Sequence, residues 1–164
     1  FFGGNYGRAA KTYQSYSMKL SFMEAALGTE KTIEANGKKQ KIKIPAGVDD
    51  GTRIRFGQLY ITFDVEDDPY FKREGADIFV DISLPLTTLI LGGTIKIKTL
   101  TGEVKMKVRE GTPSHTMVRL SKEGLPYLQR DGKGNMYVKL VAEIPSKLNR
   151  EQRKAIEKLK EAGL

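Results

Sequence analysis

His115 is the only histidine in a chain of 164 residues that contains no cysteine and no tryptophan. A nucleophile–base relay would have to be built around that one imidazole, and neither a disulfide framework nor a zinc centre of Cys and His ligands can form. His115 follows Pro113 and Ser114 in a stretch without apolar periodicity, so it reads as a solvated loop residue between strands. The carboxylate pairs Asp49-Asp50 and Asp67-Asp68 could in principle divide general acid and base work, but adjacent residues on a turn diverge instead of converging on one substrate. Gly132-Lys133-Gly134 is a G-x-G without a following helix, so it is neither a phosphate loop nor a dinucleotide fingerprint. These residues make no enzyme, and no cofactor is expected.

What remains is charge and apolar surface. Lys and Arg number 28 against 20 Asp and Glu, a formal net charge of +8. That excess suits an acidic partner: nucleic acid, a membrane surface or an acidic protein tail. Most of these lysines, however, alternate with apolar residues, as on the solvent faces of strands. A basic β-domain that binds nucleic acid is the alternative function, with strand aromatics such as Tyr60 and Phe63 as stacking platforms. Against it, the lysines are scattered through both halves of the chain and not gathered into one stripe. No run of about 18 apolar residues occurs, and FFGGNYGRAAK at the start lacks the apolar core of a leader peptide. A cytoplasmic protein with no membrane partner is expected.

The elements that must position these groups are mostly strands. Tyr16, Met18, Leu20 and Phe22 alternate with polar residues, as do Leu59, Ile61, Phe63 and Val65; Ile78, Val80, Ile82 and Leu84 keep the same period. Shorter runs with the same period contain Ile42 and Ile44, Ile54 and Phe56, Ile95 and Ile97, Val104 to Val108, Val118 and Leu120, and Met136 to Leu140. Each describes a half-buried strand, about ten in all. Asn36-Gly37, Asp49-Asp50-Gly51 and Thr101-Gly102 mark tight turns.

The chain also repeats itself. AALGTEKTI, KIKIPAG and TRIRF in the first half answer LILGGTIKI, KMKVREG and TMVRL in the second. Gly47 and Gly111, Thr52 and Thr116, and Arg55 and Arg119 all match at a spacing of 64 residues. The second copy carries an extra loop from about Ser121 to Gly134. Two copies imply a duplicated β-domain, since a solenoid would need more. Phe22–Leu27 and Leu86–Leu91 read as short helical turns ended by Gly28 and Gly92. The tail from Ser146 to Leu164 reads as a helix with Asn149 as N-cap and Gln152 completing a capping box. Its narrow apolar stripe either packs on the last sheet or meets a second chain.

FMEAALG from Phe22, IPAGVDDGTRIR from Ile44, DPYFKREGADI from Asp68, LGGTIKIKTLTG from Leu91, GNMYVK from Gly134 and IPSKLNREQR from Ile144 follow one another along the chain. On these segments the chain resembles the C-terminal substrate-binding region of DnaJ-family (J-domain) co-chaperones over about residues 14–162. The resemblance implies a mainly β fold: two tandem β-sandwich or barrel-like domains of related sequence, followed by a C-terminal α-helix. Its boundaries would be the end of a Gly/Phe-rich linker at 1–14, a first, client-binding β-domain at 15–74, a second at 75–145, and the helix at 146–164.

The same resemblance implies a function: a co-chaperone that binds unfolded or partly folded polypeptide clients in a hydrophobic groove and hands them to a DnaK-type chaperone. Carried over by position, Met18, Leu20, Ile33, Ala35 and Phe71 would line that groove on the first β-domain, with Ala35 making it roomier than usual. Lys31, with Lys38 and Lys39 beside it, would receive the partner's acidic C-terminal tail, and Leu148, Ile156 and Leu159 are the candidates for pairing two copies into a homodimer. There are departures. The J-domain with its His-Pro-Asp loop is missing, so no stimulation of a partner ATPase is expected. The Asn36-Gly37 hairpin stands where many members insert a cysteine-rich zinc module, which makes this the zinc-finger-less type. The Arg55–Leu59 segment is shorter than the family's Gly-rich loop.

Overall fold

The alternation produces strands and the glycines end them. The computed structural model describes residues 14–35 and 37–163; the FFGG segment expected to end a linker and Asn36 of the expected turn lie outside these described residues. The first half runs β1 (Gln14–Leu20), α1 (Phe22–Leu27), β2 (Thr29–Ala35), β3 (Lys38–Ile44), β4 (Arg53–Phe56) and β5 (Leu59–Val65). The second half adds β6 (Lys72–Glu74) and then repeats the order: β7 (Asp77–Pro85), α2 (Leu86–Leu91), β8 (Gly93–Thr99), β9 (Gly102–Val108), β10 (Thr116–Leu120) and β11 (Met136–Glu143). Helix α3 (Arg150–Glu161) closes the chain, so the fold is mainly β with a C-terminal helix. Among the described residues no helix is long and apolar enough to cross a membrane.

Among the described residues each half has two sheets. In the first, β1 pairs in parallel with β5 and β5 antiparallel with β4, while β2 and β3 form a separate hairpin sheet. The second repeats this with β7, β11 and β10 and with the β8–β9 hairpin. The hairpin registers correspond: Thr29 faces Ile44 as Gly93 faces Val108. The turns also agree with the sequence, since Ala35 pairs with Lys38 around Gly37 at φ +68°, and Phe56 pairs with Leu59 around Gly57 at φ +63°. The short Arg55–Leu59 segment is therefore a two-residue hairpin turn.

Strand β6 has no counterpart among the described residues of the first half and adds to the outer edge of β7 through Lys72–Phe79, Arg73–Ile78 and Glu74–Asp77. The charged triplet Lys-Arg-Glu carries no alternation that would mark it as a strand.

Two apolar clusters fill the space between sheets and hairpins. Leu20, Ile42, Ile44, Val48, Ile61 and Phe63 form the first, while Ile78, Val80, Ile97, Val108, Val138 and Leu140 lie in the second. Full burial of such side chains contributes about 1.5–3 kcal/mol each. Helix α1 belongs to both, sending Ala25 into the first cluster and Phe22 and Ala26 into the second. Its start is fixed by a capping box: the Glu24 amide donates to Ser21 Oγ at 3.3 Å, and the Ser21 amide donates to Glu24 Oε2 at 3.0 Å. Gly28 ends it at φ +77°, where a Cβ would lie 2.9 Å from the Ala46 nitrogen.

Arg73 joins the halves. Its guanidinium donates to the carbonyls of Val48 at 2.6 Å, Gly47 at 2.9 Å and Gly75 at 2.7 Å, and lies 3.4 Å from Asp49. Burial lowers its pKa and Asp49 works in the opposite direction. The extra loop of the second copy is also structural: Leu125 is fully buried, its amide donating to the Ala76 carbonyl at 2.8 Å.

Candidate functional site

Strands β1 and β2 come from different sheets, and each has one neighbour among the described strands, β5 and β3 respectively. The equivalent strand of the second half, β7, has neighbours on both sides because β6 occupies its outer edge. The Lys31 side chain on β2 reaches across from the hairpin to the other sheet, its Nζ lying 3.5 Å from the Lys19 carbonyl of β1 and donating to Glu24 Oε2 of α1 at 2.9 Å. Lys31 therefore bridges the two edges, with α1 and the Lys31–Glu24 pair alongside. A strand edge exposes unpaired N–H and C=O groups and is a template for another extended chain.

The apolar residues here lie at different depths. Met18 of β1 and Ile33 of β2 are half-buried, packed on the first cluster. Leu20 is 1% exposed and is core, under α1 and β3, so it supports the site from below and offers almost no contact area. Ala35, at the turn end of β2, is 7% exposed. Phe71 is elsewhere: at 2% exposure it belongs to the second cluster, stacked on Phe22 with ring centroids 5.7 Å apart. The structure thus gathers Met18, Leu20 and Ile33 about one core and puts Phe71 into the other. Tyr16, two residues before Met18 on the same face of β1, is exposed and extends the apolar strip. The alternation contained that signal.

The three lysines also differ. Lys31 is half-buried and already paired with Glu24, whose carboxyl is held below the usual range first by the Lys31 hydrogen bond and then by the Ser21 amide. An acidic tail would have to compete with Glu24 for it. Lys38 and Lys39 stand exposed at the start of β3.

The acidic pairs are turn formers. Asp68 Oδ1 accepts from the amides of Tyr70 at 2.8 Å and Phe71 at 3.0 Å, and Asp50 Oδ1 accepts from the Val65 amide at 3.0 Å. They border a cleft of about 560 Å³ between the halves, and no group of three or more metal-ligating side chains occurs among the described residues. His115 sits exposed in a turn at φ +68°. Of the two aromatics considered for base stacking, Phe63 is 1% exposed in the first core and the Tyr60 ring carries Arg53 at 4.4 Å. Neither is an open platform.

At the far end, Leu148, Ile156 and Leu159 line a groove of about 380 Å³ with Leu86 and Ile90 of α2. Helix α3 buries none of its residues, and its capping box forms as the sequence reads, with the Gln152 amide donating to Asn149 Oδ1 at 2.8 Å. Ile156 and Leu159 remain 48% and 41% exposed, leaving apolar surface along the helix.

Residues 14–145 match the family model described as the DnaJ C terminal domain. The chain is similar to the chaperone protein DnaJ of Xanthobacter autotrophicus, 39% identical over 129 residues that cover 70% of this chain and 34% of the relative. Its similarity to the chaperone protein DnaJ of Clostridium tetani is 39% over 132 residues, 73% of this chain and 35% of that one. For the chaperone protein DnaJ of Paramagnetospirillum magneticum it is 36% over 148 residues, 82% and 37%. The matched region thus spans about a third of the length of these curated relatives.

Proposed function

The chain belongs to the DnaJ C-terminal domain family, and on that footing we propose that it is the client-holding part of a co-chaperone. An extended, apolar stretch of unfolded polypeptide lies along the cleft between β1 and β2. Its backbone pairs with an edge that has no strand partner among the described residues, and its apolar side chains cover Met18, Ile33 and Tyr16 over the floor provided by Leu20. The supporting observation is that β1 and β2, bridged by Lys31 over an apolar floor, each have one strand neighbour among the described residues, where β7 of the second half has β6 on its outer edge. In this reading residues 15–74 form the client-binding domain and residues 75–145 the second.

Release to a DnaK-type chaperone involves that partner's acidic tail. Lys38 and Lys39 provide the first contacts, and Lys31 joins by exchanging Glu24 for a tail carboxylate. Exposed contacts of this kind contribute about 0.2–1 kcal/mol each, so they serve orientation and rate more than affinity. Two copies pair through Leu148, Ile156 and Leu159, placing two clefts in one assembly. Binding of a fluorescent apolar peptide to the wild type and to a Met18→Ser, Ile33→Ser variant tests the proposal. Loss of binding with retained circular dichroism is the expected result, and equal binding by both would remove the cleft from the site.

A further inference from the structure

We propose that the outer face of the β8–β9 hairpin is a second binding surface, separate from the β1–β2 cleft, that takes an acidic, extended polypeptide segment. The duplication makes the case. In the first hairpin Glu30 stands opposite Lys43 and Glu34 opposite Lys39, so the outer face largely neutralises itself. At the corresponding positions of the second, Thr94 faces Lys107, Lys98 faces Glu103, and Lys96 faces Lys105. Like charges directly opposite each other oppose sheet pairing, so the Lys96–Lys105 pair works against its own hairpin. All four lysines are exposed, and none has an ion-pair partner among the described residues.

The spacing fits an extended acidic chain. Side chains on one face of a strand recur about every 6.6–6.8 Å, the same interval at which such a chain presents alternate carboxylates. The outer edge of β9 has no strand partner among the described residues, and beside it runs a groove of about 330 Å³. Met106, Val108, Val118 and Leu140 contribute to its lining, with Lys107 and Arg109 beside them. A segment alternating acidic and apolar residues along that edge would set its carboxylates beside Lys105 and Lys107 and its apolar side chains in the groove. The outer face carries no aromatic side chain on which bases could stack, which favours a polypeptide over a nucleic acid.

The test is fluorescence anisotropy with a labelled alternating Glu-Val peptide, with a labelled oligothymidylate for comparison. Lys105→Thr with Lys107→Thr removes the two charges beside which the segment lies; threonine suits an exposed strand position and the change relieves the Lys96–Lys105 repulsion, so the fold is kept. The peptide should bind the wild type, bind this variant about tenfold more weakly or worse, and bind Met18→Ser, Ile33→Ser as well as the wild type. Equal binding by the Lys105, Lys107 variant, loss in the Met18, Ile33 variant, no binding to the wild type, or tighter binding of the oligothymidylate would each overturn the proposal. Because the cleft variant is measured alongside, failure here is distinguishable from failure of the client site.

Discussion

Arg73→Ala should loosen the junction between the two halves. The Arg73 side chain is 15% exposed and satisfies the carbonyls of Val48 and Gly47, while Val48 itself is fully buried. A buried carbonyl left without a donor costs about 1–3 kcal/mol, and two are involved. The Gly75 carbonyl and the half-exposed Asp49 carboxylate can turn to water, so they add little. Relief of the guanidinium's own desolvation offsets part of the loss, in keeping with its lowered pKa. The net expectation is about 2–4 kcal/mol, read as a lower urea midpoint by far-ultraviolet circular dichroism. Arg73→Lys keeps the charge but not the fork of donors, and should fall between the two. Amide exchange at Gly47, whose N–H donates to the Ala25 carbonyl at 2.8 Å, should quicken in the alanine variant. A midpoint corresponding to less than about 0.5 kcal/mol, with unchanged exchange at Gly47, would refute the idea that Arg73 holds the halves together.

Three further outcomes follow from the same geometry. Leu20→Ala should cost about 2–5 kcal/mol of stability, because the side chain is core; a surface-sized loss would put Leu20 in the open cleft instead. The Glu24 carboxyl has a lowered pKa when folded, so its stabilising contribution is complete above the unfolded glutamate pKa and fades as pH falls through the folded value. Thermal unfolding of the wild type should therefore exceed that of Glu24→Gln at neutral pH and converge with it in acid, whereas a gap independent of pH would contradict the ion pair. Ile156→Asp with Leu159→Asp should reduce self-association in sedimentation velocity while leaving the affinity of each cleft for an apolar peptide unchanged; undiminished association would move the pairing surface off α3.

Much of the architecture was legible because its causes are local. Period-two alternation specifies the strands around Ile61 and Val80, glycine ends α1 and α2, and Asn149 with Gln152 announces the start of α3. The matching hairpin registers give the duplication a structural form. Strand β6 was not legible, since a charged triplet becomes a strand only through pairing with β7. Depth within the site was hidden for a related reason. Met18 and Leu20 share one face of β1, and only the placement of α1 and β3 makes one half-open and the other core. Phe71 follows a turn and could join either cluster; stacking on Phe22 decides it. The Lys31–Glu24 pair links two elements that the sequence alone does not bring together.

The most direct test of the client-holding role is binding of an extended apolar peptide to the wild type and to Met18→Ser, Ile33→Ser, at low and high salt, with both proteins shown to be folded. The account predicts binding that persists at high salt and disappears in the variant, since apolar burial and main-chain pairing carry it. Binding that collapses with salt, or that the variant retains in full, would contradict it.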